Sequence, residues 1–175
     1  MSDSCALPSS LEVNQKIYQI VRLLGKGKGG YSYLARDGQA ERVLKQIHHE
    51  PCSYYTFGNK LESELRDYAR LKDIGIPMPV MLDVDLERER ILKEYIPGPT
   101  VAELVAMGSI KQEYIKQVED MCVKLYAHHI NIDYYPTNFV LCDEKLYYID
   151  YECNEYMETW DFEHWGKQYW LPSGS

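Results

Sequence analysis

A glycine-rich turn between two strand-like segments constrains the fold of this chain more than any other feature. Gly25, Gly27 and Gly30 have the spacing G-x-G-x-x-G. The same spacing opens dinucleotide-binding folds, but in those folds a helix must follow. Here residues 17–27 resemble a strand that runs into the turn, and apolar and polar residues alternate over 31–37, which predicts antiparallel strands on both sides of the turn. We interpret the turn as a flap whose bare N–H groups can approach a phosphate chain, with an ordinary glycine-rich hairpin as the alternative.

The rest of the chain reads as further strands followed by helices. A third strand is predicted over 42–48, a helix over 59–73 and a hairpin over 80–96. Asn59 and Gly75 have the residue types that cap the two ends of that helix. After the Pro-Gly-Pro break at residues 97–99, the remaining predicted features are helices starting with capping boxes at Thr100 and Ser109, a strand over 146–150, and a tryptophan-rich tail over 158–170.

Two charged residues of the N-terminal part sit among apolar neighbours. Lys45 lies in the segment Arg-Val-Leu-Lys-Gln-Ile, on a strand expected to be central in the sheet. Glu64 lies on the apolar side of the predicted helix, because Leu61 and Tyr68 are its i−3 and i+4 neighbours. A buried lysine usually has an anionic partner, so Glu64 is the expected partner of Lys45. The alternative is a lysine on an exposed strand face.

A second set of polar residues lies in stretches that otherwise resemble buried strands. Asp133 and Asn138 occur in Asn-Ile-Asp-Tyr-Tyr-Pro-Thr-Asn, and Asp150 follows in Tyr-Tyr-Ile-Asp-Tyr-Glu. Polar side chains are costly to bury without a partner or a task. The presence of Asp133, Asn138 and Asp150 in such stretches therefore indicates a functional site.

Taken in order, these motifs resemble those of the protein kinase superfamily over residues 17–152. The resemblance implies an α+β, protein-kinase-like bilobal fold, with an antiparallel β N-lobe holding one helix and a short, mainly helical C-lobe. It implies ATP and Mg²⁺ as cofactors. Asp133 would be the catalytic aspartate, and Asn138 and Asp150 the metal ligands. The implied ATP-binding residues are Gly25, Gly27, Gly30, Lys45, Glu64, Glu94 and Tyr95, with Lys45 also catalytic.

The sequence departs from the usual kinase pattern in three places. Asn131-Ile132 replaces the His-Arg before the catalytic aspartate, which predicts no control by loop phosphorylation. Tyr151-Glu152 replaces the Phe-Gly of D-F-G, which predicts a stiffer segment. Only 25 residues follow Asp150, and they contain no A-P-E motif. The chain therefore resembles small atypical kinases, such as that of the tRNA threonylcarbamoylation machinery, and small bacterial Ser/Thr kinase-like proteins.

The tail has an incomplete match to a supporting motif of kinases. Asp161 and Gly166 are spaced as in the D-x-W-x-x-G helix, which implies that Asp161 bonds the backbone near Asp133. The alternative is a core-covering helix that packs through aromatic residues, Trp160, Phe162 and Trp165.

Composition limits the remaining possibilities. The formal net charge of −8 argues against a general binder of nucleic acids or anionic membranes. Five cysteines without a regular spacing indicate reduced thiols and a cytoplasmic protein. The adjacent histidines at 48–49 and 128–129 do not form a metal set. We expect a disordered terminus over 1–12, an N-lobe over 13–96 and a C-lobe over 97–172.

The predicted function is an ATP- and Mg-dependent phosphotransferase that resembles protein Ser/Thr kinases. The acceptor would be a hydroxyl of a protein, possibly its own. A nucleotide-binding pseudokinase and an ATPase that depends on a protein partner are the alternatives.

Overall fold

A computed structural model describes residues 6–49 and 59–171 of the chain. The expectations for residues 1–5, for the last four residues of the tail, and for Cys5 and Cys52 lie outside the described residues. The chain divides into two compact units. The first contains the described residues up to Ser63 and Val80–Tyr95; the second contains Glu64–Pro79 and the described residues from Ile96 onward. The lobe boundaries expected from the sequence stay predictions.

The first unit is built on one six-stranded antiparallel sheet of order β1-β2-β3-β4-β6-β5. Its strands are β1 Ser10–Val13, β2 Lys16–Lys26, β3 Gly30–Asp37, β4 Ala40–Ile47, β5 Met81–Asp85 and β6 Arg90–Glu94. The strands predicted around the glycine turn and over the hairpin are confirmed. The expectation of a disordered terminus over 1–12 is wrong for residues 10–12, because these pair with β2 and place Val13 in the core.

Helix α1, Lys60–Ile74, lies between β4 and β5 in the chain and has the predicted caps. The Asn59 side chain accepts a hydrogen bond of 3.1 Å from the N–H of Glu62. At the other end Gly75 has φ +94°, a left-handed conformation that glycine adopts without steric cost. Local side-chain chemistry therefore fixes both ends of α1, as the sequence predicts.

The second unit holds two further helices, α2 Val101–Ala106 and α3 Gln112–Ala127. Thr100 caps α2, since its hydroxyl accepts from the N–H of Glu103 at 3.2 Å. The prediction that Ser109 begins the next helix is wrong. Its N–H closes the end of α2 by donating to Leu104, with Gly108 at φ +65° between, and α3 starts three residues later without a side-chain cap.

Two small antiparallel pairs complete the second unit. β7, Ile130–Ile132, pairs with β10, Cys153–Glu155, and β8, Phe139–Cys142, pairs with β9, Lys145–Tyr148. The strand predicted over 146–150 is observed over Lys145–Tyr148, so Asp150 lies just beyond its end. The buried face of α3 packs with these strands in one core, through Val118, Leu125, Ile132 and Leu146 among others.

The tail forms short turns and no regular α-helix. A 3₁₀ turn, Glu158–Trp160, is followed by a single π-helical turn, Phe162–Gly166, and by a second 3₁₀ turn, Lys167–Tyr169. The alternative of a core-covering helix is thus wrong in its helical form. Phe162 is buried as expected, but Trp160 is 51% exposed and the fully buried tryptophan is Trp170.

The predicted α+β class is confirmed, with an antiparallel N-terminal sheet, one helix after it and a small helical part. Among the described helices, none combines the length and apolar character needed to cross a bilayer. The described cysteines, Cys122, Cys142 and Cys153, are free thiols.

Candidate active site

The glycine flap of the first unit is held at its base by neighbouring residues. The N–H of Gly27 donates to the carbonyl of Gly30 at 2.9 Å. The N–H of His48 donates to Gly29 at 3.1 Å, and its ring Nε2 lies 2.9 Å from the Gly27 oxygen. The ammonium of Lys60 donates to the carbonyls of Lys28 and His48, at 3.2 and 2.7 Å. The flap is therefore a defined turn, anchored just after β4 and at the first residue of α1.

The flap glycines are present for different reasons. A Cβ on Gly30 would overlap the carbonyl oxygen of Gln46 on β4, so packing within the sheet requires glycine there. A Cβ on Gly25 or Gly27 would meet nothing within 4 Å. Packing does not demand glycine at these two positions, which leaves their backbone open to approach by a ligand.

Lys45 lies on β4 next to the flap. It is half-buried, and its register partners are Ser32 on β3 and Ile91 on β6. A Cβ added to Gly29 would be 3.8 Å from the Lys45 ammonium, so this charge lies close to the flap backbone. Glu64 belongs to the other unit, and its pairing with Lys45 stays a prediction.

The segment predicted to meet the adenine base begins at the last residue of β6. Glu94 and Tyr95 are half-buried. The N–H of Glu94 donates to the Val80 carbonyl at 2.9 Å, so this donor is already used within the first unit. Their contact with a nucleotide stays a prediction.

In the second unit, Asp133 and Asn138 lie at the two ends of one short loop. Asp133 follows β7, and Asn138 closes the 3₁₀ turn Pro136–Asn138. The Asp133 carboxylate accepts the N–H of Tyr135 at 3.1 Å, while the Asn138 side-chain NH₂ donates to the Asp133 carbonyl at 3.3 Å. Because Asn138 donates through Nδ2, its Oδ1 is the atom that can bind a cation.

Asp150 is tied to this loop through its backbone neighbours. The N–H of Ile149 donates to the Asn138 carbonyl at 2.9 Å. The hydroxyl of Tyr148 accepts from the N–H of Asp133 at 3.3 Å and donates to the Glu152 carbonyl at 2.7 Å. Burial, followed by the charge of Asp150, raises the pKa of the Tyr148 phenol well above its usual value, so the hydroxyl keeps its proton. The structure thus brings Asp133, Asn138 and Asp150 together.

The chemistry of these side chains fits Mg²⁺. Asn138 supplies an amide oxygen and Asp150 a carboxylate, and both are half-exposed. Mg²⁺ usually takes one or two protein oxygens and completes its octahedron with substrate phosphates and water. No group of three or more His, Cys, Asp or Glu side chains able to hold a metal occurs within residues 6–49 and 59–171.

The positions that depart from the kinase pattern are packed and hydrogen-bonded. Asn131 is 4% exposed and donates through its side chain to the Met157 carbonyl at 2.9 Å. Tyr151 is fully buried, and its hydroxyl donates to the Pro79 carbonyl at 2.7 Å. Its ring lies against Tyr68 with centroids 4.6 Å apart. These residues fix the segments next to Asp133 and Asp150.

The tail supports the loop from Asp133 to Asn138, but not through the residue that the sequence indicated. Asp161 accepts from the Tyr156 hydroxyl and from the N–H and ring Nδ1 of His164, at 2.8–3.0 Å, and does not bond the backbone near Asp133. That expectation is wrong, since the short turn after Asp161 keeps its partners local. Burial alone would raise the pKa of Asp161, but these bonds outweigh it and hold the pKa below its usual value.

Trp170 is the support that sequence reasoning missed. Its indole N–H donates to the Tyr134 carbonyl at 2.8 Å, one residue after Asp133. A Cβ on Gly166 would lie 2.5 Å from the Tyr134 Cβ, so glycine there lets the tail approach the loop. The tryptophan in the tail could have indicated such a contact, because a buried indole N–H normally finds a hydrogen-bond acceptor.

Comparison with known proteins identifies the relatives of this chain. No protein-family model matches it. It is 30% identical over 133 residues, 71% of its length, to the probable bifunctional tRNA threonylcarbamoyladenosine biosynthesis protein of Methanocaldococcus jannaschii. It is 28% identical over 99 residues, 55% of its length, to the KEOPS complex subunit Bud32 of Pyrococcus abyssi. The chain is therefore a homologue, at modest identity, of Bud32 and of tRNA threonylcarbamoyladenosine biosynthesis proteins.

The similarity covers most of the chain but only part of each relative. A second bifunctional protein, from Methanococcus vannielii, is 26% identical over 86% of the chain. The match spans 24% and 28% of the two bifunctional relatives and 45% of Bud32.

Proposed function

We propose that the chain binds Mg-ATP and transfers its γ-phosphoryl group. The observation that carries the proposal is the grouping of Asp133, Asn138 and Asp150 in one unit, linked by the Ile149–Asn138 bond and the Tyr148 hydroxyl. A carboxylate beside an amide and a second carboxylate is the set that phosphoryl transfer requires, since this reaction depends on positioning and charge stabilisation.

Each residue has a proposed role. Asp133 would orient or deprotonate the attacking hydroxyl, and Asn138 and Asp150 would hold the metal ion. Bound Mg²⁺ supplies neutralisation of the triphosphate charge. From the first unit, Lys45 and the flap backbone around Gly25 and Gly27 would lie against the phosphates, although the Gly27 N–H itself already donates to the Gly30 carbonyl.

The remaining ATP-binding assignments are proposals of the same kind. Glu64 would orient Lys45, and the backbone of Glu94 and Tyr95 would meet the adenine. Gly30 would contribute indirectly, by letting the end of the flap approach β4.

The acceptor of the phosphoryl group is either a protein hydroxyl or water. A Ser or Thr of a protein, including this one, fits the kinase-like loop. The names of the relatives favour a second candidate, an ATPase that acts with a protein partner in tRNA threonylcarbamoyladenosine biosynthesis. Both candidates use the same Mg-ATP chemistry and differ only in the nucleophile.

The test uses the full chain with ATP labelled on the γ-phosphate and Mg²⁺, and follows free phosphate and labelled protein separately. Asp133→Asn should lower turnover at least about 100-fold, as expected for loss of a general base, while Mg-ATP still binds in a calorimetric titration. Asp120→Asn, an exposed aspartate on α3, is the matched control and should act like the wild type.

The products distinguish the candidates. Label on protein supports the kinase, and free phosphate that rises with added Bud32-associated proteins supports the partner-dependent ATPase. Mg-ATP binding without either product, or full turnover in Asp133→Asn, would refute the assigned chemistry.

A further inference from the structure

A single phenol connects the two halves of the candidate site in the second unit. Tyr148 is fully buried. Its hydroxyl accepts the N–H of Asp133 at 3.3 Å and donates to the carbonyl of Glu152 at 2.7 Å. The two bonds join the backbone of the catalytic loop to the backbone just beyond Asp150.

Asp150 is consequently bracketed by backbone restraints. On one side, the N–H of Ile149 donates to the Asn138 carbonyl at 2.9 Å. On the other side, the carbonyl of Glu152 accepts the hydrogen bond of the Tyr148 hydroxyl. Between them, the side chain of Tyr151 is fully buried and its hydroxyl donates to Pro79. A segment with three such anchors over four residues has little freedom to turn Asp150 away.

The chemistry of the phenol suits this task. A buried hydroxyl is costly unless both its proton and a lone pair find partners. Here the hydroxyl donates its hydrogen bond to Glu152, in the Asp150 segment, and its lone pair accepts one from Asp133, in the other segment. Loss of either bond would therefore leave a buried polar group unpaired. Packing alone would be served equally by phenylalanine, which lacks the hydroxyl.

We propose that Tyr148 is a positioning residue, whose hydroxyl holds the Asp150 segment against the catalytic loop so that the metal-binding residues stay assembled without a switch. The proposal rests on the proposed function only for its activity readout. It assigns the regulation of the site: the Asp150 segment is held in place by default, in contrast to a segment that must be released or ordered by modification.

The test compares Tyr148→Phe with Tyr147→Phe. Tyr147 is the next residue along β9, is only half-buried, and points to the opposite face of the strand because side chains alternate. Tyr148→Phe should raise the Mg²⁺ concentration for half-maximal turnover and lower kcat, each by about tenfold, the order expected for one buried hydrogen bond. Tyr147→Phe should change neither.

A second readout does not need turnover. Hydrogen exchange at the Asp133 amide should speed up about tenfold in Tyr148→Phe, since that N–H loses its acceptor, and stay unchanged in Tyr147→Phe. Mg²⁺ dependence of nucleotide binding should weaken in parallel. If the wild type shows no turnover, the proposed function fails while these two measurements still decide the role of Tyr148.

Unchanged exchange at Asp133, or lower stability with an unchanged Mg²⁺ dependence, would overturn the proposal and leave Tyr148 as a packing residue. If Tyr148→Phe does not fold, NMR of the wild-type protein still tests whether the Tyr148 hydroxyl contacts the Asp133 amide. A tyrosine hydroxyl proton that exchanges slowly and lies close to the Asp133 amide by NMR supports the link. Rapid exchange of the Tyr148 hydroxyl contradicts it.

Discussion

The indole of Trp170 donates a 2.8 Å hydrogen bond to the carbonyl oxygen of Tyr134, and both residues are fully buried. Tyr134 directly follows Asp133, the residue for which we propose the catalytic role. Phe139 and Phe162 pack against the Trp170 ring with centroids 5.0 and 5.7 Å apart. The end of the described chain therefore stabilises the loop by both packing and a specific hydrogen bond.

Trp170→Phe should lower the free energy of unfolding by about 1–3 kcal/mol, because it leaves the buried Tyr134 carbonyl without its donor. Urea denaturation measures this change. Trp160→Phe is the matched control, since Trp160 is 51% exposed, and should stay within about 0.5 kcal/mol of the wild type. Equal unfolding midpoints for Trp170→Phe and the wild type would contradict the supporting role.

The flap glycines give a second prediction with an internal comparison. Gly30→Ala should destabilise the protein by about 1–3 kcal/mol, because the added methyl overlaps the Gln46 backbone, which cannot move aside cheaply. Gly27→Ala should leave stability unchanged or slightly higher, since nothing lies within 4 Å, yet weaken Mg-ATP binding. Denaturation and nucleotide titration of both variants separate the effects. A stable Gly30→Ala protein would contradict the packing argument.

Most of the fold could be predicted because its signals are local. Strand alternation and the glycine turn fixed the antiparallel arrangement of β2 and β3, and Asn59 and Thr100 cap the helices that follow them. Ser109 is not a cap because it belongs to the end of α2, where its N–H donates to Leu104, and α3 begins only at Gln112. Residues close in sequence were enough to predict the strands and these two caps, but they could not decide whether Ser109 ends one helix or begins the next.

The supports of the site could not be predicted in this way. Trp170 and Tyr134 are 36 positions apart, and the Tyr148 hydroxyl reaches the Asp133 amide across 15 positions. No local spacing encodes such a partner, because it depends on how the chain folds back. The sequence predicted a functional role for Asp133, which stays a prediction, yet it did not predict what holds the loop that carries this residue.

The described cysteines should differ sharply in reactivity. Burial raises the pKa of both Cys122 and Cys153 to about 12, so at pH 8 only about one thiol in ten thousand is the reactive thiolate. Cys142 is half-exposed at the end of β8. Iodoacetamide should label Cys142 in the folded protein, and label the other two only in denaturant.

Peptide mapping by mass spectrometry measures the labelling at each site. Cys142→Ser is the control and should remove the fast labelling at that position while leaving Cys122 protected. Labelling of Cys122 at the rate of Cys142 in the native protein would show that the α3 core opens readily.

Stability should depend on pH through His164. The bonds and charge of Asp161, helped by Glu158 and Glu163, raise the pKa of His164 above its usual value in the folded protein. A raised folded pKa means that the protonated ring stabilises the fold fully below about pH 6.5, and that this contribution is lost as pH rises through the folded pKa. Asp161, whose pKa is lowered, loses its contribution only in acid, as pH falls through its folded pKa.

The urea midpoint should therefore fall from pH 6 to pH 9 in the wild type, and fall less in His164→Asn. The comparison with this variant removes the titration of all other groups, which the two proteins share. His129→Asn is the matched control, because His129 is exposed with φ +57°, a conformation that asparagine tolerates. It should keep the wild-type pH dependence, and an equal slope in His164→Asn would contradict the stabilising role of the His164–Asp161 pair.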